Sequence, residues 1–125
     1  MPNLCLNTRD ELLMIHLSKV AYFQANGNYT QFVYICGEKH LVALGLSKIE
    51  EYIRLSWKLN EPSPFVRLGR SLIVNQRYVT EISVLRQRLL LSDCEGHNHP
   101  LSVSKQLLRQ YKAIIYNINA PKEQS

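Results

Sequence analysis

Apolar and polar residues alternate along the first half of the chain, with the two-residue period of strands that bury one face. Leu13, Ile15 and Leu17 stand at every second position, and similar alternation returns beyond the turn-like residues 25–28 and 36–38. The pattern predicts an antiparallel meander of four strands at residues 13–17, 20–24, 29–35 and 40–44.

The period then changes to that of an amphipathic helix. Leu46, Ile49 and Ile53 lie three and four residues apart, so they share one helical face. Ser47 and Glu50 have the S-x-x-E spacing of a capping box, which predicts the start of the helix. Two prolines downstream cannot continue it, so we expect it to end near residue 59.

The second half returns to short apolar runs and closes with another helical pattern. Strands are predicted at residues 65–67, 72–74, 79–85, 89–92 and 101–103. Ser104 is placed to cap a last helix, with Val103 and Leu108 as a hydrophobic staple around the cap. The apolar stripe of that helix is predicted to be Leu107, Leu108, Tyr111, Ile114, Ile115 and Ile118.

These elements make the protein mainly β with two helices, a mixture that excludes helix-turn-helix and zinc-finger architectures. A length of 125 residues suits one domain, which we place at residues 10–119 between tails at 1–9 and 120–125. The chain has no apolar run of about eighteen residues, and its first residues lack the basic-then-apolar pattern expected of a secretory leader. Three scattered cysteines are typical of reduced thiols, so a cytoplasmic protein is predicted.

Charge divides the chain unevenly. Between Phe65 and Lys112 there are eight basic and three acidic residues, whereas the remainder carries seven of each. The formal net charge of +5 therefore lies in the second half. Such asymmetry favours a polyanionic partner, nucleic acid above all, although many basic surfaces bind nothing in particular.

The segment 65–71 holds the first candidate site. Arg67, Arg70 and Ser71 lie between apolar residues that anchor the segment on both sides, and Gly69 allows a left-handed bend or a close backbone approach. Guanidinium groups held in this way suit bidentate recognition of phosphate or guanine. The structural alternative is an edge strand with solvated charges.

The start of the last helix is the second candidate. Lys105, Arg109 and Lys112 share one face, and Ser104 with the free amides behind it can receive a phosphate. Gln106 adds an amide at the same end. A solvated face opposite the apolar stripe is the plainer explanation.

The turn at residues 26–30 is the third candidate. Asn-Gly is a hairpin turn signal, so a purely structural role is the default. Asn28 and Tyr29 nevertheless bring hydrogen-bonding groups to an exposed turn, where they could meet base edges.

Other chemistry has little support. Cys94, His97 and His99 lack a fourth ligand for a closed zinc site, and a metal-dependent nuclease built on the two histidines is a weaker alternative. No paired acidic motif, phosphate-binding glycine loop or nucleophile elbow is present. The sequence predicts no catalytic residue, no metal and no cofactor.

Three motifs together resemble the LytTR DNA-binding domain of bacterial response regulators. They are N-G-N-Y-T at 26–30, F-x-R-x-x-R-S-x-x-V-N at 65–75 and V-S-K at 103–105, in a match over about residues 10–118. The resemblance implies an elongated arrangement of antiparallel sheets whose loops enter successive major grooves and bend the duplex. Gly69, Leu72 and Lys105 depart from residues common in the family.

The resemblance also implies roles for individual residues. Base contacts are expected from Asn28, Tyr29, Arg70, Lys105 and Gln106. Phosphate contacts are expected from Arg67, Ser71, Ser104, Arg109 and Lys112, while Asn75 is expected to tie its turn together.

The implied function is sequence-specific binding of double-stranded DNA in transcription regulation, without enzymatic activity. Paired direct-repeat half-sites and a weak or DNA-induced dimer are expected. About nine residues precede the first predicted strand, too few for a receiver domain, so the chain is expected to be either an excised domain or a free-standing regulator. For a free-standing regulator, control by abundance or by a regulatory protein partner is expected. The alternative is a protein-interaction module that uses the basic face and a β edge.

Overall fold

The computed structural model describes residues 2–57 and 61–120. Three antiparallel sheets and two helices make up these residues, which confirms the predicted fold class. The strands are β1 (Asn3–Asn7), β2 (Leu12–His16), β3 (Val20–Asn26), β4 (Tyr29–Tyr34), β5 (Lys39–Val42), β6 (Phe65–Leu68), β7 (Leu72–Asn75), β8 (Val79–Ser83), β9 (Arg88–Ser92) and β10 (Asn98–Ser102). Helix α1 covers Leu46–Ser56 and α2 covers Lys105–Asn119.

A five-stranded sheet in the order β5-β4-β3-β7-β6 lies at the centre of the fold. Of the four strands predicted for the meander, the last three are confirmed as β3, β4 and β5, but the first is β2, which pairs with β1 in a separate sheet. Strand β3 is the middle strand, and its Gln24 pairs with Gln31 on one side and with Leu72 on the other. The basic segment β6–β7 is thereby attached directly to the meander.

Both faces of the central sheet are covered. Adjacent residues of β3 point to opposite faces, so Phe23 joins a core with α1, β1 and β2, and Tyr22 joins a second core with α2 and the three-stranded sheet. Phe32 and Val33 of β4 divide in the same way. The central sheet therefore holds two independent hydrophobic layers together.

The N-terminal residues contradict the predicted tail. Strand β1 pairs with β2 in a two-stranded sheet, and its Leu4 and Leu6 are buried in the core beside α1. Asn3, Cys5 and Asn7 face solvent, so the alternation that marks a strand was present in the sequence. The strand is hard to recognise from the sequence, because its five residues offer only two buried apolar positions.

Helix α1 differs from its prediction at both ends. Its N-cap is Gly45, without a side-chain cap, so Ser47 lies inside the first turn and the predicted capping box is wrong. Glu50 instead extends toward Arg67 on β6. The helix ends at Ser56, and the rest of its predicted length includes residues outside those described.

The last helix begins as predicted. Ser104 is the N-cap, and its Oγ accepts a hydrogen bond from the Leu107 amide at 3.3 Å. Val103 and Leu108 are both buried in the same core, which confirms the staple. The far end of the predicted apolar stripe is not buried, since Ile114 is 56% exposed and Ile118 is 69% exposed. The helix extends beyond the core that its first turns cover.

The three-stranded sheet has the order β10-β9-β8. The predicted hairpin is confirmed as β8 and β9. Strand β10 begins at Asn98, earlier than the predicted 101, because pairing with β9 continues through Pro100. The intervening turn is correspondingly shorter.

Candidate nucleic-acid interface

Two of the predicted loops lie side by side at one end of the central sheet. The β3–β4 turn carries Asn28 and leads into Tyr29, the first residue of β4, and the β6–β7 turn carries Arg70 and Ser71. The amide of Ala25 donates to the carbonyl of Ser71 at 2.8 Å, which joins the two turns at their bases. Residues about forty positions apart in sequence therefore become neighbours.

The β6–β7 turn also contacts the start of α2. Gly69 has a φ of +69°, in the left-handed region that favours glycine. A Cβ at this position would lie 2.9 Å from Cδ1 of Leu107, in the first turn of α2. Both predicted reasons for this glycine are thus confirmed, and the third loop, Ser104–Gln106, lies next to the second.

The predicted base-contact residues are all on the surface of these loops. Asn28, Arg70, Lys105 and Gln106 are exposed, and Tyr29 is 48% exposed. Rigid elements support each of them, since β3, β4 and β7 are each paired with strands on both sides and α2 is capped by Ser104. The loops therefore present polar groups from a fixed base.

Arg67 has a different environment from the one predicted. The sequence predicts a phosphate contact, but the guanidinium donates from Nε to the Gly69 carbonyl at 2.8 Å and from Nη2 to the Arg70 carbonyl at 2.9 Å. Its Nη1 lies 3.3 Å from Oε1 of Glu50, and the side chain is only 23% exposed. The group faces the protein and holds the turn.

Arg109 and Lys112 continue the basic surface along α2. Both are exposed, and they border a groove of about 510 Å³ with Val84, Ala113 and Tyr116. Within residues 2–57 and 61–120, none of the cations Arg70, Lys105, Arg109 and Lys112 forms an ion pair with a carboxylate. Their charge is therefore available to an anionic partner.

The structure adds a loop that sequence reasoning missed. The amide of Val103 donates to the Gln87 carbonyl at 3.1 Å, which places the β8–β9 turn beside the start of α2. Exposed Arg86 belongs to this turn, whereas Arg88 is paired with Glu81 at 2.6 Å. The run Arg86-Gln87-Arg88 is the available signal in the sequence, where it indicates a hairpin turn and adds two basic residues.

The histidines considered as weakly supported metal ligands have other partners. Nδ1 of His97 lies 2.6 Å from Oδ2 of Asp93, and Nε2 of His99 lies 2.9 Å from the Ile35 carbonyl. Burial would raise the pKa of Asp93, but hydrogen bonds from the Glu95 amide and from His97 outweigh it and lower the pKa to about 2. In the described part of the chain, no three potential ligands gather as a metal site requires.

Comparison with known proteins decides the family. The family model for the LytTr DNA-binding domain matches residues 10–115. The chain belongs to the LytTR family. A solved LytTr DNA-binding domain from Bacillus cereus has the same fold, with a TM-score of 0.59 and 23% sequence identity over 92% of this chain and 97% of the other. No curated protein matches the chain.

Membership makes this LytTR chain a double-stranded DNA-binding domain of the kind used in transcription regulation. LytTR is a family of DNA-binding domains and not of enzymes. Neither described helix is long and apolar enough to cross a membrane.

Proposed function

We propose that this protein is a sequence-specific transcription regulator whose loops enter the major groove of double-stranded DNA. One observation carries the proposal, namely the contact of the β3–β4 turn, the β6–β7 turn and the start of α2 at a single edge. Arg70, Lys105, Gln106 and the turn at residues 28–29 read bases from this edge. Ser71, Ser104, Arg109 and Lys112 set the register on the phosphates.

The unpaired cations determine how binding responds to salt. If the four cations Arg70, Lys105, Arg109 and Lys112, at bases or on the backbone, together release the counterions of roughly four phosphates, the logarithm of affinity falls with the logarithm of salt at a slope of about −4. Titration of a labelled duplex at several salt concentrations measures this slope. Binding that does not respond to salt would contradict an interface built on phosphate contacts.

Arg70→Ala tests base reading. We expect a loss of about 1–3 kcal/mol on the preferred duplex, with relaxed preference at one base pair. Arg77→Ala is the matched control, because Arg77 is also exposed but lies in the 3-10 turn Gln76–Tyr78 at the opposite end of β7. Equal losses from both variants would mean that only net charge matters.

Lys112→Ala tests phosphate contact. The variant should weaken preferred and random duplexes alike and should bring the salt slope about 1 closer to zero. Lys112 is exposed on α2, and Leu108 and Tyr111 rather than Lys112 fill the core, so folding should be unchanged. A slope equal to that of the unaltered protein would remove Lys112 from the interface.

Paired direct repeats about one helical turn apart are the proposed target, occupied by two molecules that associate on DNA. Selection of bound duplexes from a random pool tests this arrangement and the specificity together. Recovery of a repeated motif supports the proposal, whereas a pool without a common motif contradicts it.

A protein-interaction module is the second candidate function. The observation in its favour is the exposed apolar end of α2, where Ile114, Tyr116 and Ile118 are each more than half exposed. A regulatory protein bound there would leave the three loops free. If Ile114→Ser retains selective DNA binding, this surface is separate from the DNA-reading edge, which is formed by the β3–β4 turn, the β6–β7 turn and the start of α2.

A further inference from the structure

Arg67 links α1 to the turn that presents Arg70. Its Nε and Nη2 groups form one edge of the guanidinium, and this edge grips the carbonyls of Gly69 and Arg70 at 2.8 and 2.9 Å. The remaining terminal nitrogen, Nη1, faces Glu50 of α1 at 3.3 Å. One side chain thus connects two consecutive turn carbonyls to a helix.

This geometry needs an arginine. The two carbonyls belong to adjacent residues, so they match the parallel donors of a planar guanidinium, which a lysine ammonium cannot reproduce. The turn is exposed, and Gly69 at a φ of +69° allows conformations closed to other residues. The Leu68–Leu72 pair fixes the base of the turn, and Arg67 is the side chain that holds the Gly69 and Arg70 carbonyls at its tip.

A phosphate contact by Arg67 fits the structure poorly. The side chain is 23% exposed, compared with 49% for Glu50. A phosphate that approached Nη1 would have to displace the Glu50 carboxylate or lie beside a second negative charge. The group with the free charge in this segment is Arg70.

We propose that Arg67, supported by Glu50, is a positioning residue that orients Arg70 for base readout. This inference rests on the proposed function. Arg67 acts through the backbone of the turn, so it should influence specificity without contributing to the charge that DNA neutralises.

A double-mutant cycle of Arg67→Lys and Arg70→Ala tests the proposal. Arg67→Lys keeps the charge but loses the paired donors, so binding of the preferred duplex should weaken about tenfold while random duplex changes less than about twofold. In the Arg70→Ala background, Arg67→Lys should have almost no further effect. Additive losses would overturn the inference.

Arg67→Gln separates positioning from phosphate contact. A phosphate contact predicts that the salt slope moves about 0.9 toward zero, whereas a positioning role leaves it unchanged. Lysine and glutamine are no larger than arginine, so both fit at residue 67, which borders a cavity of about 860 Å³ between α1 and β6. Thermal denaturation checks that each variant remains folded.

The role of Glu50 can be tested with two variants that are expected to change DNA affinity in opposite directions. Removal of a carboxylate near DNA strengthens DNA binding by simple electrostatics. Glu51→Gln measures that effect, because Glu51 lies on the same helix but is paired with Lys48. Glu50→Gln should instead weaken binding of the preferred duplex about twofold to threefold, because Arg67 loses its charged partner. Equal strengthening by both variants would overturn the role of Glu50.

A measurement without DNA keeps the inference separate from the proposed function. In Arg67→Lys, the amide NMR resonances of residues 69–71 should shift or broaden, whereas Arg77→Lys should leave them unchanged. Unaltered resonances overturn the inference even if selective DNA binding is confirmed. Altered resonances in a protein without sequence preference would refute only the proposed function.

Discussion

At the scale of single residues, buried polar side chains fix the connections between strands. Asn75 is fully buried, and it donates from Nδ2 to the Val20 carbonyl at 2.9 Å and accepts from the Arg77 amide at 3.1 Å. This confirms that Asn75 ties its turn together. Such a group stabilises only while both partners remain, because an unsatisfied buried amide is costly.

Asp93 should make stability depend on pH at the acid end. Its pKa is lowered to about 2 from an ordinary value of 3.8, so its hydrogen bonds stabilise the folded state above about pH 4. That stability is lost as the pH falls through the folded value. Melting temperatures between pH 5 and pH 2 should therefore fall more steeply for the unaltered protein than for Asp93→Asn.

Glu95→Gln is the control for this measurement, because Glu95 is exposed in the same turn and its amide contact to Asp93 is retained. An NMR titration of the Asp93 carboxyl would locate the transition directly. A carboxyl that titrates near 3.8 would contradict the hydrogen-bonded geometry of the turn.

At the scale of elements, the start of α2 has a structural role and a proposed binding role. Ser104 caps the helix and stands among the proposed phosphate contacts. Ser104→Ala should reduce the free energy of unfolding by about 1 kcal/mol, because the Leu107 amide loses its acceptor. Urea denaturation measures this loss.

Ser104→Asp separates the two roles. Aspartate is also a good N-cap, so stability should stay within about 0.5 kcal/mol of the unaltered protein, while its charge should repel phosphate and weaken DNA binding about tenfold or more. Full DNA affinity in this folded variant would place Ser104 away from the phosphates.

At the scale of the whole molecule, two cores on opposite faces of one sheet make distant segments interdependent. Strand β1 seals the core beneath α1 through Leu4 and Leu6, which are 3% and 2% exposed. Since α1 carries Glu50, and Glu50 contacts Arg67, the N-terminal strand indirectly supports the edge proposed to read DNA.

Leu6→Ala should therefore cost about 2–5 kcal/mol of unfolding free energy, which is the usual effect of an internal cavity. Cys5→Ser, on the exposed face of the same strand, should change stability by less than about 0.5 kcal/mol. Urea denaturation of both variants checks this contrast. Similar stabilities for Leu6→Ala and Cys5→Ser would mean that residues 1–9 contribute little to the core, as expected of a tail.

Local patterns determined much of this protein from sequence alone. The strands from residue 20 onward, two helices, the Ser104 cap, the staple and the glycine at 69 all follow from short-range effects. Period, capping and backbone freedom act within a few residues, so the sequence displays them directly. The family likeness rests on the same short motifs.

Only the tertiary structure decided which of these elements meet. The two turns join because β3 pairs with β7, and the third loop joins through the contact of Gly69 with Leu107. The role of Arg67 was hidden for the same reason, since its partners include Glu50, which is 17 residues away on another element. The sequence shows that residue 67 is an arginine, but the direction of its side chain depends on packing between elements that are distant in sequence.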